Sequence, residues 1–225
     1  MVERTMHTTA VYEAAYGELI TDGTAHVIAD VGAGDSPFGP DYEQRGRIVY
    51  RLDAHYADHM PPCANERSIA AAIQHGLPLA DGVVDRAVSA FLFQHLLAED
   101  RGPALREMLR ITKPGDGYVA IFPVFRPRVI EAVVNGGRFG LDVAIGYPGD
   151  EGELVQRKLG YPTLVLRNTT GLSTADESGR APLDRLIDAL DETQALQPRP
   201  TLGKLLRKMR MRRTGDTRFD TSGRG

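Results

Sequence analysis

Two glycines separated by one residue directly follow a short apolar run near the N-terminus. The run, residues 26–31, has the length and the β-branched content of a buried strand, and it ends at Gly32 and Gly34. Glycine allows a tight turn and lets a ligand approach the backbone closely. A second apolar run, residues 47–52, ends at Asp53, whose carboxylate suits the two hydroxyls of a ribose. This spacing predicts a site for a nucleoside ligand.

The turn departs from the pattern of a dinucleotide site. That pattern, G-x-G-x-x-G, has its third glycine where this chain has Pro37, and the nearest glycine, Gly39, is out of frame. Proline has no N–H to donate to a phosphate, and its ring crowds the contact that the third glycine relieves. A nucleoside ligand without phosphates loses little from this change. The sequence therefore favours S-adenosylmethionine over NAD.

The composition is that of a globular protein. The 225 residues are 42% hydrophobic and 25% charged, which is ordinary for a folded domain. A single cysteine, Cys63, excludes an internal disulfide and fits a reducing compartment. No apolar run is long enough to span a membrane, and the N-terminus carries acids and no apolar signal segment. We therefore expect a cytoplasmic protein.

Charge is distributed unevenly along the chain. Residues 199–225 contain nine Lys or Arg and two Asp, although the net charge of the chain is −3. Within them, residues 202–213 have the pattern of a cationic amphipathic helix. Such a tail can bind an anionic surface, either lipid or nucleic acid, or pack on its own acidic domain, or remain solvated. It lacks interleaved aromatic residues, which disfavours base stacking.

Hydrophobic periodicity predicts strands that alternate with helices. The predicted strands are residues 26–31, 47–52, 84–91, 117–122 and 162–167, with a further one near 139–145. The predicted helices are residues 8–20, 103–112, 127–135, 151–159 and 183–196, with a short one at 41–44; residues 68–73 are ambiguous. This alternation predicts an α/β fold, a Rossmann-like, doubly wound and mainly parallel sheet flanked by helices.

Four motifs follow one another at suitable spacing. They are D-V-G-A-G at residues 30–34, Asp53, the stretch G-L-P-L-A-D-G-V-V-D-R-A-V-S at 76–89, and E-M-L-R-I-T-K-P-G-D-G at 107–117. In these motifs, which cover about residues 26–125, the chain resembles class I S-adenosylmethionine-dependent methyltransferases of the small-molecule "methyltransferase domain" type. The last two motifs are the more specific, because no single physical demand generates them.

The resemblance implies S-adenosyl-L-methionine as the cofactor and a set of residues that bind it. These are Asp30, Gly32, Ala33, Gly34, Ser36, Asp53, Ala54, Gln74, Gly76, Leu77, Ser89 and Ala90. One position departs from the family, because Ile73 stands where an acid often contacts the adenine amino group. Backbone groups or Gln74 would then recognise the adenine.

Composition and the resemblance together divide the chain into four parts. Residues 1–25 would form an N-terminal helix that could act as a lid, and residues 26–167 the S-adenosylmethionine-binding domain. A linker with an amphipathic helix would follow at 168–200, and a partly disordered basic tail at 201–225.

Candidate catalytic residues follow the predicted strand 84–91. Gln94 and His95 occupy the position of a common His-His pair in the family, where His95 could act as a general base and Gln94 could contact the substrate. A packed position at the start of a helix is the alternative for the histidine. A base is needed only when the acceptor must lose a proton. Tyr12 and Tyr16 could close over the cofactor or simply cover the sheet.

No metal site is predicted. His55 and His59 lie four residues apart, near Asp58 and Cys63, but no second ligand pair follows and two prolines interrupt the spacing.

Three functions remain open at this point. The leading one is methyl transfer to a small-molecule acceptor. The others are a non-catalytic partner protein on a methyltransferase fold, and a nucleic-acid methyltransferase anchored by the basic tail. The absence of an N/D-P-P-Y sequence disfavours methylation of DNA amino groups. The sequence leaves the oligomeric state open.

Overall fold

The computed structural model describes residues 9–61, 64–136, 143–146, 162–169 and 181–195. In these residues, seven strands form one sheet: β1 (Val27–Val31), β2 (Ile48–Asp53), β3 (Ser68–Ala70), β4 (Arg86–Ala90), β5 (Tyr118–Phe122), β6 (Val143–Gly146) and β7 (Thr163–Arg167). Their order across the sheet is β3-β2-β1-β4-β5-β7-β6. Neighbours among β1 to β5 pair in parallel, whereas β7 runs antiparallel to β5 and β6. The predicted α/β fold with a mainly parallel sheet is confirmed.

Helices cover both faces of the sheet. They are α1 (Thr9–Tyr16), α2 (Glu18–Thr21), α3 (Phe38–Gln44), α4 (Ala98–Ile111), α5 (Pro127–Gly136) and α6 (Pro182–Ala195). One core cluster joins α1 and α3 to the sheet through Tyr12, Phe38 and Ile28. A second cluster joins the other face to α4, α5 and α6, with Ala29, Leu105, Met108, Ile130, Leu186 and Leu190. Ile28 and Ala29 belong to different clusters because successive strand residues point to opposite faces.

Most predicted elements are confirmed with small shifts in their bounds. The strands predicted at 26–31, 47–52, 84–91, 117–122 and 162–167 correspond to β1, β2, β4, β5 and β7, and the one near 139–145 to β6. The helices predicted at 127–135 and 183–196 correspond to α5 and α6. The ambiguous segment 68–73 contains β3 and the start of a 3₁₀ helix, Ile73–His75.

Three predicted helix boundaries were wrong. The helix expected over 8–20 is divided into α1 and α2 at Gly17, whose positive φ of 47° ends a helical turn. The helix expected to start at Pro103 starts at Ala98, because acids occupy its first turn and complement the helix dipole. The short helix expected over 41–44 starts at Phe38, whose N–H donates to the Ser36 hydroxyl at 3.2 Å.

Some predictions concern residues outside the described ranges. They are Cys63, the helix at 151–159 and the basic tail at 201–225. Within the described ranges, no helix is both long enough and apolar enough to cross a membrane.

Buried charges fix the edge of the sheet at which the parallel strands begin. The Asp85 carboxylate accepts hydrogen bonds from the backbone N–H of His26 and Val27 (3.0 and 2.8 Å) and from Lys113 Nζ (2.6 Å). Burial alone would raise the pKa of Asp85, but these donors outweigh it and hold the pKa below its usual value. Asp85 therefore ties the start of β1 to β4.

The opposite edge of the sheet contains a topological switch point. β1 lies between β2 and β4. The chain therefore places β2 and β3 on one side of β1 and then crosses to place β4 on the other side. In open α/β sheets, ligands bind outside the carboxyl ends of the strands at such a point. The residues that follow β1, β2 and β4 are therefore expected to form the functional site.

Candidate functional site

The glycine turn after β1 has a conformation that requires glycine. Gly32 and Gly34 have φ values of +77° and +51°. The N–H groups of Gly32 and Ala33 both donate to the Leu52 carbonyl, at 2.7 and 3.2 Å, and this bends the chain over the end of β2. A Cβ atom on Gly32 would lie 2.9 Å from Leu92 Cβ, so the turn also touches the loop after β4. The structure brings the ends of β1, β2 and β4 together.

Asp53 faces the same turn from the end of β2. Its Oδ2 accepts the Gly34 N–H at 2.9 Å, and its Oδ1 accepts the His55 N–H at 2.8 Å, where it caps the 3₁₀ helix Ala54–Ala57. A carboxylate offers about four lone-pair sites, so these bonds leave capacity for ligand hydroxyls. The half-buried Asp53 is thus oriented by the turn that it faces.

Asp30 lies beneath the turn rather than at its surface. Its side chain is fully buried, Oδ1 accepts the Tyr12 hydroxyl at 3.1 Å, and Oδ2 has no hydrogen-bond partner among the residues that the structure describes. Burial raises the pKa of Asp30 to about 7, against the opposing effects of the Arg51 charge and the Tyr12 hydrogen bond. This carboxyl group contacts α1, so it joins the N-terminal helix to the glycine turn.

Tyr12 and Tyr16 cover the sheet. Both side chains are fully buried in the core, and the Tyr12 ring stacks on Phe38 with their centroids 4.4 Å apart. Of the two alternatives drawn from the sequence, the packing favours this one over a lid.

The loop at residues 76–82 is held by two charged residues of α4 that the sequence analysis did not single out. Glu107 Oε1 accepts the Leu77 N–H at 2.5 Å. Arg110 donates to the carbonyls of Leu77 and Leu79 (3.0 and 2.9 Å) and to Glu107 itself. Gly76 has a φ of +94°. The E-x-x-R pattern within the fourth motif was the signal that could have revealed this clamp.

Gln74 and Ile73 differ in accessibility. Ile73 is buried in the core cluster beneath α4, and Gln74 is partly exposed in the 3₁₀ helix Ile73–His75. Ile73 therefore cannot replace the acid that related enzymes often carry, whereas Gln74 and the neighbouring backbone remain accessible.

The end of β4 carries the remaining predicted residues. Ser89 and Ala90 are buried, and the next residue, Phe91, has a φ of +64°, which is unusual for a bulky residue. Gln94 and His95 follow in a turn, with Gln94 Nε2 and His95 Nε2 in contact at 3.2 Å. They lie two and three residues after Leu92, which contacts Gly32. The structure thus places them at the same edge as the glycine turn.

Among the residues that the structure describes, no group of three or more His, Cys, Asp and Glu side chains could hold a metal ion. His55 and His59 are exposed.

Comparison with known proteins identifies the family. Residues 29–121 match a family model described as "Methyltransferase domain". These residues form a domain of the class I S-adenosylmethionine-dependent methyltransferase type. The protein is accordingly an enzyme, and S-adenosylmethionine is its cofactor. The matched residues of this methyltransferase extend from β1 to β5 and include the glycine turn, Asp53 and both loops described above.

Solved structures of similar fold come from several organisms. A 1,6-didemethyltoxoflavin-N1-methyltransferase of Burkholderia thailandensis, bound to 1,6-didemethyltoxoflavin and S-adenosylhomocysteine, is 19% identical with a TM-score of 0.45 over 70% of this chain and 74% of its own. A putative S-adenosylmethionine-dependent methyltransferase of Methanococcus maripaludis is 19% identical, with a TM-score of 0.46 over 71% and 86%. A 16S rRNA N2 G1207 methyltransferase of T. thermophilus, in complex with AdoMet and guanosine, is 16% identical, with a TM-score of 0.41 over 69% and 39%. A search of curated proteins found no match.

Proposed function

We propose that this methyltransferase acts on a small-molecule acceptor that approaches the carboxyl ends of β4 and β5. The observation that carries the proposal is the partly exposed apolar pair Phe91-Leu92 directly after β4, in a chain that lacks the N/D-P-P-Y sequence that would favour amino groups of nucleic-acid bases. Phe91 packs edge-to-face on Phe122 at the end of β5, with centroids 5.3 Å apart. Such an apolar rim suits a compact, partly hydrophobic acceptor.

The residues around the turn have the properties that the cofactor requires. Leu92 packs against Gly32, but there is open space beside Gly34, where the nearest heavy atom to an added Cβ would be Asp53 Oδ2 at 4.0 Å. We infer that the cradle formed by Gly32, Ala33, Gly34 and Ser36 takes the amino-acid part of the cofactor and that Asp53 accepts the ribose hydroxyls, with Ala54 beside it. Gln74, Gly76 and Leu77 would border the adenine, and Ser89 and Ala90 the reacting centre. Asp30 would act from beneath the turn.

When bound, the cofactor supplies an activated methyl carbon and the leaving group. The task of the chain is to hold the acceptor nucleophile in line with that carbon and to exclude water. His95 would accept a proton from an acceptor O–H or N–H, and Gln94 would orient the acceptor. An acceptor that is already nucleophilic would need neither group.

The domain division remains a proposal. Residues 26–167 would carry the cofactor site, and within residues 1–25 the helices α1 and α2 cover one sheet face. The helix within 168–200 is α6, whose Leu183, Leu186 and Leu190 join the core beneath α4. We propose residues 201–225 as an accessory basic segment that could meet an anionic surface.

Calorimetric titration tests the cofactor site. We expect micromolar binding of S-adenosylmethionine and S-adenosylhomocysteine, no binding of NAD, and loss of binding in Asp53→Ala. Asp58→Ala, which removes an exposed carboxylate nearby, is the control and should bind normally. Normal binding by Asp53→Ala would remove the proposed ribose contact.

Transfer of a labelled methyl group tests the acceptor class. The enzyme is incubated with a panel of small heteroaromatic, phenolic and lipid-like acceptors and, separately, with total RNA and DNA. Label in a small molecule supports the proposal, and His95→Gln then shows whether a base is used. Label in nucleic acid alone would replace the proposed acceptor class.

A further inference from the structure

One cation is buried directly behind the glycine turn. Arg51 lies in β2, two residues before Asp53, is opposite Asp30 in the strand register, and has no exposed surface. Its Nη2 donates to the carbonyls of Gly34 (3.2 Å) and Ser36 (2.8 Å). A buried guanidinium is tolerated only when such partners compensate for its lost hydration. Two of its partners here are carbonyls of the turn itself.

The surroundings of Arg51 are shaped to admit it. A Cβ atom on Gly39 would lie 2.5 Å from Arg51 Cδ and 3.0 Å from Cγ, so α3 packs on this side chain only because residue 39 is glycine. Tyr56 contributes from the other side, with its ring centroid 5.7 Å from Arg51 Cζ and its hydroxyl donating to the Gly34 carbonyl at 2.6 Å. Two donors therefore converge on one carbonyl of the turn.

These contacts fix the peptide planes of the turn. The Gly34 N–H is held by Asp53, and the Gly34 carbonyl is held by Arg51 and Tyr56. Because a trans peptide is planar, the N–H of the following residue must point away from Arg51. Glycine has many accessible backbone conformations, and a turn that is already fixed avoids the cost of ordering it upon binding.

We propose that Arg51 is a positioning residue for the cofactor. From its buried position behind the turn, Arg51 holds the glycine turn in the conformation that binds the cofactor. The inference rests on the proposed placement of the cofactor at this turn. In a dinucleotide site, a third glycine and a longer helix support the glycine turn. This chain has Pro37 and the short α3 in their place, and Arg51 would supply the missing support.

A second buried arginine provides a matched control. Arg86 in β4 is 4% exposed, donates to the carbonyls of Leu19 and Asp116 (2.9 and 3.1 Å) and lies over the Tyr118 ring at 4.9 Å. Like Arg51 it donates to carbonyls and faces a tyrosine ring, and it also pairs with Asp22 at 3.3 Å, but it lies at the edge of the sheet where β4 begins. Its loss should lower stability without reaching the turn.

The experiment compares Arg51→Met with Arg86→Met in the full chain, at a temperature where circular dichroism shows both folded. Unfolding in urea gives their stability, and calorimetry gives the affinity for S-adenosylhomocysteine. Both variants should be less stable, but only Arg51→Met should bind about 10-fold or more weakly, the loss expected for hydrogen bonds from a charged donor.

Two further variants keep the test decisive if Arg51→Met does not fold. Arg51→Lys retains the charge but cannot serve both carbonyls in the same way, so it should lose part of the affinity. Gly39→Ala displaces the Arg51 stem and should weaken binding while the arginine remains.

The outcomes separate the inference from the function on which it rests. Unchanged affinity in Arg51→Met, Arg51→Lys and Gly39→Ala, with Asp53→Ala still unable to bind, would overturn the positioning role alone. Equal losses in Arg51→Met and Arg86→Met would also overturn it, because general destabilisation would then explain both. If the unmodified enzyme or Asp53→Ala contradicts the proposed site, the inference falls with that site.

Discussion

Replacing Asp30 by Asn should change the pH dependence of stability. The Asp30 carboxyl is fully buried, and burial raises its pKa from 3.8 to about 7. Around pH 5 the folded protein therefore holds a proton that the unfolded chain has released. Because the folded state binds more protons than the unfolded state over this interval, stability must fall as pH rises from 5 to 7 and level off above 7.

The size of the effect follows from the interval. One pH unit corresponds to about 1.4 kcal/mol for one proton, so the two units between pH 5 and 7 correspond to about 2–3 kcal/mol. Asparagine resembles the protonated carboxyl group and does not titrate. The stability of Asp30→Asn relative to the unmodified protein should therefore rise by about that amount between pH 5 and pH 8.

Urea unfolding at pH 5, 6, 7 and 8, followed by circular dichroism, measures this difference. Asp58→Asn, at an exposed position, corrects for the loss of one carboxylate from the total charge. The charged and titratable groups that act on Asp30 are Tyr12 and Tyr16 on α1, and Arg51 and Asp53 on β2. A difference that stays constant with pH would mean that Asp30 is ionised in the folded protein throughout, paired with Arg51, and the reasoning from burial would be refuted.

Three further substitutions test contacts around the same sheet. Gly32→Ala should lower the free energy of unfolding in urea by at least about 1 kcal/mol more than Gly46→Ala does. Both glycines have φ near +77°, but only at residue 32 would the added Cβ meet a neighbouring side chain. Equal losses in the two variants would contradict the close approach. Glu107→Ala should lower stability by about 1.5–3 kcal/mol and weaken S-adenosylhomocysteine binding, because it removes the acceptor of the Leu77 N–H; unchanged values for both would show that the clamp is dispensable. Asp85→Asn should be less stable than the unmodified protein at neutral pH, because the ionised carboxylate stabilises the fold. This difference in stability should disappear as the pH falls to the lowered pKa of Asp85, and a difference that persists in acid would rule out this role.

The strands and the glycine turn could be predicted because their signals are local. The apolar run that becomes β1 ends at two glycines, and both adopt the positive φ that glycine accepts readily. β3 was ambiguous because its three residues, Ser68–Ala70, form a strand only by pairing with β2. Pairing between segments distant in sequence leaves no periodic signal in a run that short.

The support of the site could not be predicted because it depends on long-range contacts. Arg51 appeared as a charge within an apolar run, where a partly exposed strand position is the simplest interpretation. Its burial depends on Gly39 and Tyr56, whose relation to it emerges only when α3 and the 3₁₀ helix Ala54–Ala57 pack beside β2. The roles of Asp53, Gln94 and His95 toward ligands stay predictions.

The antiparallel return of β7 has a consequence for how this enzyme could diversify. β5 ends at Phe122 and β7 begins at Thr163, and the pairing of Ile121 with Leu164 brings both points to the same edge of the sheet. The chain between them starts and finishes beside the site, and it contains α5, which packs in the core through Ile130, and β6, which pairs with β7. The connections around these two elements can change in length without altering the register of β1 to β5, because lengthening a segment between two fixed ends costs only a logarithmic loss of entropy. Variation in those connections would let one cofactor-binding frame acquire new acceptors.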